Sequence, residues 1–339
     1  MKIPRKPFLI MLLLIVFSGC NEITVTTRVN KDGSFTRLIT VKGEKTSIDR
    51  QILPYPVDST WAKELLPDST DTTKYVLSYT KKFRNSAQLN REISSDTSWF
   101  RRLNRNIEVK KGFGFFFSYL VYKETYHAPI IFNRLNYKDF LSHEDILFFS
   151  GEKIPVSKDD SVKFNNASQK VDDFFSETFT AEIMLILQDG IKRLNDPSLS
   201  ADQVITFKDS IKNMSGEHLL KGESFIDLYK DLTGNPAVEK LNEIQPPIFD
   251  DFYKKAHLFI SITLMEDFVQ TIEMPGIITA TNSTLVSGNK VNWEISSNRC
   301  FFTDYEMMVE SRVINTWAFV VTGLVVLGLL VLLIFKAWK

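Results

Sequence analysis

Apolar and polar residues alternate at both ends of the chain and recur at helical spacing in its middle, a pattern that predicts strands flanking a helical segment. Ile23, Val25 and Val29 alternate with Thr24, Thr26 and Arg28, and Phe35, Ile39 and Val41 continue beyond Asn30-Lys31-Asp32-Gly33. The Asp-Gly pair supplies the turn, so Asn21 to Val41 reads as a hairpin. Residues 44–71 are polar with Pro54, Pro56 and Pro67 and read as a loop with one helical turn at Trp61 to Leu66. Tyr75, Leu77, Tyr79 and Phe83 mark a strand with one wet face. Ile107 to Tyr126 reads as one long strand carrying Phe113, Phe115, Phe116, Phe117, Tyr119, Tyr122 and Tyr126. Bulky residues on both parities predict that both its faces are covered.

The pattern changes at Ala128. Asn136 and Ser142 stand where helix caps belong, Gly151 stops the segment holding Ile146, Leu147 and Phe149, and Lys153 to Lys170 reads as a polar connector. Ile183, Ile186, Leu187, Ile191 and Leu194 then recur at helical spacing. So do Val204, Phe207, Ile211 and Met214 behind a capping box at Ser200 to Gln203, and Phe225, Leu228 and Leu232 ahead of Gly234. Asn235-Pro236 opens a further turn. Strands are expected again at Leu258 to Leu264, after Met274-Pro275-Gly276, at Val291 to Ile295 beyond the Gly288-Asn289 turn, and at Tyr305 to Val309.

From Val313 to Phe335 no residue is charged. The stretch from Trp317 to Phe335 spans roughly 28 Å as a helix, which matches a bilayer core of roughly 30 Å. Trp317 and Trp338 suit the two interfaces, and Lys336 and Lys339 direct that end to the cytoplasm. At the other terminus Lys2, Arg5 and Lys6 precede an uncharged run from Phe8 to Phe17, the layout of a signal peptide. Phe17-Ser18-Gly19-Cys20 follows and resembles a bacterial lipobox, with Phe17 where Leu, Val or Ile is usual. Membership of that class implies a diacylglyceryl group on the Cys20 sulfur and a mature chain that begins there.

Composition narrows the picture further. The chain has 41 basic and 41 acidic residues, but setting aside the five basic residues at the termini leaves 36 against 41. A body near −5 lacks the basic stripe of a nucleic-acid surface. With Cys20 lipidated, only Cys300 remains, flanked by Phe301 and Phe302, so no intramolecular disulfide forms and a buried structural thiol is expected. His127, His143, His218 and His257 form no ligand pair, and no metal or cofactor is expected. Ser78 to Lys81 and Ser150 to Lys153 match Ser-x-x-Lys without its companion motifs, and Gly112-Phe113-Gly114 lacks a third glycine. Adjacent acidic pairs such as Asp172-Asp173 point apart and suit a solvated face.

The β-rich ends resemble the LppM-type lipoprotein domain. The residues that carry the likeness are Asp32-Gly33 in the first hairpin, Pro275-Gly276, Asn282, and Val291 with Trp293, together with a membrane helix after the domain. The resemblance implies a non-enzymatic envelope lipoprotein with a fold reminiscent of lipid-binding modules. The expected fold is therefore α+β: an antiparallel β-rich domain drawn from residues 20–127 and 256–312, a helical insert over 128–255, and one C-terminal transmembrane helix. The flanking divisions are a signal peptide over 1–19, the membrane helix over 313–336 and a cytoplasmic tail over 337–339. The protein is expected in the bacterial inner membrane with its body on the periplasmic side. Two functions compete. In one, Phe113, Phe115, Phe116 and Tyr119, with the helix around Ile183 to Leu194, form walls that bind a membrane lipid or another amphiphile. In the other, the aromatic run is plain core and the protein is a structural or regulatory subunit that engages another envelope membrane protein.

Overall fold

The computed structural model describes residues 21–48, 53–95, 104–129, 131–263 and 266–338. The segment expected as a signal peptide and Cys20 lie outside them, as does Lys339. The β elements form two sheets packed face to face. The larger runs β3 (Ala62–Pro67), β4 (Tyr75–Phe83), β2 (Phe35–Gly43), β1 (Glu22–Val29), β7 (Phe268–Glu273), β10 (Lys290–Ile295), β9 (Leu285–Ser287). The smaller runs β5 (Arg105–Phe113), β6 (Phe117–Tyr126), β11 (Tyr305–Ile314), β8 (Ile277–Thr281). Strands from both halves of the chain pair in each sheet, β1 with β7 and β6 with β11. The β1–β7 pair is parallel, which needs a crossover, and the long helical segment between them provides it.

Strict alternation explains the first hairpin. Ile23, Val25, Thr27 and Val29 face inward from β1, and Phe35, Arg37, Ile39 and Val41 from β2. At the turn Asp32 accepts the Ser34 N–H and hydroxyl, and Gly33 takes a positive φ.

The surprise in this interior is a buried polar cluster that ties the sheets together. Arg37, with no exposed side-chain area, donates to Thr27 at 3.0 Å and to Glu124 of β6 at 3.0 Å. Tyr122 and Tyr55 also donate to the Glu124 carboxylate. The Tyr55 ring lies between two guanidinium groups, Arg37 at 4.2 Å and Arg105 at 3.9 Å from its centroid. Desolvation pushes the Glu124 carboxyl up, but Arg37, Arg105 and the two phenols outweigh it and hold it below the ordinary range.

The helices form a head at one end of this sandwich. Short α1 (Ser86–Ser95) is apart from them, packing Leu89 and Ile93 beside β5. In the head, α2 (His143–Phe149) and α4 (Lys208–Lys221) pack on α3 (Lys158–Leu194), α5 (Phe225–Thr233) packs on α4, and α6 (Asp250–Thr263) meets both α5 and α3 through its aromatic rings. Phe175 and Phe179 of α3 and Phe259 of α6 join Phe301 and Phe302, which lie between β10 and β11. Helix α7 (Thr316–Ala337) leaves from the far end of β11.

Several expectations are corrected. Of the stretch expected as a strand at Leu258 to Leu264, the residues up to Thr263 belong to α6, and Leu264 lies outside the described residues. The buried residues Phe252, Ala256, Phe259 and Ile262 of that helix recur every three or four positions, and the apparent alternation was local. The polar connector over 153–170 is mostly the first half of α3, started by Ser157, which caps Asp160 N–H. A helix with water on most sides shows no apolar stripe. The helical turn at Trp61 to Leu66 is edge strand β3, whose residues are all exposed. The capping box at Ser200 does not form, since the 3₁₀ turn Asp202–Phe207 starts at Ala201 without a side-chain cap. The helix expected to cross the membrane starts at Thr316 and not at Val313, because Val313 and Ile314 complete β11. The caps at Asn136, Ser142 and Asn235 and the left-handed stop at Gly234 are as expected.

Cys300 is fully buried, and desolvation pushes its thiol up to about 12 despite Arg105 and Arg299 nearby. It should resist a thiol reagent in the native protein and react in urea, read as mass added to the Cys300 peptide. Rapid native labelling would contradict its burial.

Candidate membrane-contact site

The aromatic run does not form one covered strand. Gly114 breaks it into β5 and β6, with the Gly114 N–H donating to the Phe117 carbonyl at 2.8 Å to close the hairpin. A Cβ on Gly114 would sit 2.7 Å from that same oxygen, so only glycine turns the chain here. Beyond the turn β6 alternates. Ser118, Leu120, Tyr122, Glu124 and Tyr126 are buried in the sandwich, and the intervening residues face outward.

The four aromatic residues singled out from the sequence are accordingly exposed: Phe113 by 72%, Phe115 by 49%, Phe116 by 37% and Tyr119 by 38%. They cluster at the hairpin tip rather than in the core. Helix α7 begins directly against them. Phe113 stacks on Trp317 with ring centroids 6.3 Å apart, Phe115 meets Trp317 edge-on at 5.4 Å, and Phe116 lies 4.9 Å from Phe319. Phe117 touches Phe319 as well.

Asn315 joins the tip to the helix. Its backbone N–H donates to the Phe116 carbonyl at 2.9 Å, its side-chain amide donates to Gly114 and Phe115 carbonyls at 2.8 and 3.2 Å, and its side-chain oxygen accepts from Ser118 at 2.9 Å. Three successive carbonyls of the turn and the Ser118 hydroxyl are thereby answered by one residue. Asn315, Trp317 and Phe319 are the members of the site that sequence reasoning did not connect to it, since they stand about 200 residues from the tip. The available signal was an asparagine between a strand pattern and an apolar helix.

The 22 residues of α7 span about 33 Å at 1.5 Å per residue. Among the described residues it is the one helix long and apolar enough to cross a membrane, and its side chains from Phe319 to Ala337 are exposed except for the half-buried Thr322. The stretch from Ile183 to Leu194, expected as the opposing wall of a binding cavity, does not meet the aromatic tip. Ile183, Leu187 and Ile191 are buried in the head, where Gly190 packs on Ile248 and Leu241. The head joins at the start of β11, whose ten residues put the tip about 30 Å away. His127 hydrogen-bonds the Asp304 carboxylate at 2.9 Å, and His218 lies 3.3 Å from Glu223.

No family model matches the chain, and no curated protein matches it in sequence. Among solved structures the chain is similar to the folded domain of the LppM protein of Mycobacterium tuberculosis, determined by NMR. The identity is 8% and the TM-score 0.29, over 88% of this chain and 94% of that one. This is a weak structural relation to a lipoprotein domain, and no residue's role is carried over from it.

Proposed function

We propose that this is a non-enzymatic, membrane-anchored protein of the bacterial envelope whose hairpin tip contacts membrane lipid beside its own transmembrane helix. The observation that supports this most directly is the exposed cluster of Phe113, Phe115 and Phe116 packed on Trp317 and Phe319, the first turn of α7. Aromatic rings favour the headgroup level of a bilayer, and a patch of this kind in water would be a liability. The basic residues after Phe335 favour a cytoplasmic C-terminus, with the sandwich and head on the periplasmic side of the inner membrane. A second reading, a subunit that engages another envelope membrane protein, draws on the head, where Ile154 and Val156 are exposed just before α3 and Val156 is 89% accessible.

Transfer of each phenylalanine ring out of water is worth about 1.5–3 kcal/mol, so the tip matters to how the domain sits. In vesicles, the part of the tryptophan emission that Trp317→Phe removes, Trp61, Trp99, Trp293 and Trp338 supplying the rest, should be quenched by lipids brominated near the headgroup. Phe115→Ser with Phe116→Ser should shift that emission to the red while circular dichroism is unchanged. Unchanged emission in the double variant would argue against lipid contact by the tip.

A further inference from the structure

Strand register places the first described residues far from α7. Ile23 pairs with Phe268, and Phe268 with Ile295, so the start of β1 shares one pole of the sandwich with the end of β10. From Ile295 the chain passes through Ser297–Cys300 to Tyr305, the first residue of β11. At the other pole Arg28 pairs with Glu273 and Glu273 with Lys290, and Gly276 packs against the carbonyl of Arg312, two residues before β11 ends. The cross-sheet contacts agree. Arg37, beside Thr27, reaches Tyr122, whereas Tyr55 links Gln270, beside Val25, to Tyr126, which pairs with Tyr305.

Glu22 therefore lies at the pole opposite α7, about 30 Å away along β11 at roughly 3.3 Å per residue. Cys20 precedes it by two residues, which at 3.8 Å per step keeps its Cα within about 8 Å of Glu22. No linker exists to extend that reach, because Glu22 is already paired with Lys42 and Asn21 accepts the Ser47 hydroxyl. If the sandwich stood upright on α7, the acyl chains on Cys20 would be held in water. Both anchors enter the one membrane across which the chain is exported, and transfer of two acyl chains to water opposes their leaving it.

We infer that the sandwich lies along the bilayer with its strands near the membrane plane, the lipid on Cys20 holding one pole down and α7 holding the other. This rests on the lipobox reading and on the membrane contact proposed for the tip. The lipid then sets orientation, and α7 suffices for attachment.

The test uses the full chain in vesicles, with a nitroxide at Thr46→Cys, exposed beside Asn21, or at Lys111→Cys, exposed near the tip. The native leader is compared with a cleavable leader that lacks the cysteine, and mass spectrometry scores the diacylglyceryl group. The Thr46 label should sit at headgroup depth in the lipidated chain and become several-fold more accessible to a water-soluble relaxant in the unlipidated one. The Lys111 label should stay near the headgroups in both. A Thr46 label in bulk water on a lipidated chain overturns the inference, as does a native-leader chain without the lipid. A Lys111 label in bulk water in both chains would instead sink the tip contact.

Discussion

Glu124→Leu should sharply weaken the hold between the two sheets. The substitution removes the carboxylate that answers Arg37 at 3.0 Å and accepts from Tyr55 and Tyr122, and Arg37 and Arg105 remain buried without it. Breaking a buried pair by deleting one partner costs about 3–5 kcal/mol, against a total domain stability of roughly 5–15 kcal/mol. Thermal unfolding of the full chain in micelles, followed by circular dichroism, should show the loss. Arg37→Met combined with Glu124→Leu should cost less than the two single changes added, because the pair leaves together. Strict additivity would mean the cluster is not a coupled unit.

The same carboxylate gives stability a pH dependence of known sign. Its folded value lies below the 4.5 of a free glutamate, so the folded state binds the proton more weakly than the unfolded state. Its contribution is complete above 4.5 and is lost as pH falls through the folded value. Melting midpoints of wild type should fall over that acid window, and those of Glu124→Gln should fall less.

The parts legible from sequence are those where one face is dry and the other wet. β1 and β2 alternate cleanly because every inward residue meets the second sheet. The parity of Phe35 and Ile39 even assigns Arg37 inward, but an arginine is ordinarily a surface residue, and its partners Tyr122 and Glu124 are some 85 residues away. The first half of α3 shows no stripe, and the end of α6 mimics a strand over a short window. At the site, the aromatic residues were visible but their environment was not. A run of phenylalanines reads as core, whereas Gly114 turns it into a hairpin tip, and only the long-range pairing of β6 with β11 brings Trp317 and Phe319 to it.

Gly276 should be the least replaceable glycine of the fold. It makes the passage from β7 in one sheet to β8 in the other, with φ at +85°. A Cβ built there would lie 2.3 Å from the Arg312 carbonyl oxygen and 3.2 Å from the Val313 Cα, both backbone atoms of the strand that leads into α7. The neighbour cannot rotate away, so β11 itself would have to shift, parting from β8 or β6. A left-handed conformation alone costs a non-glycine residue about 1–2 kcal/mol, and the backbone clash adds to that. Gly276→Ala is therefore expected to destabilise by about 3 kcal/mol or more, and Gly276→Val to leave no cooperative unfolding transition. Gly288 supplies the comparison, since its φ is +61° but nothing lies within 4 Å of its Cβ position. Gly288→Ala should cost only the conformational part, about 1–2 kcal/mol. Equal losses of melting midpoint in the two alanine variants would show that the close approach of Gly276 to β11 contributes nothing.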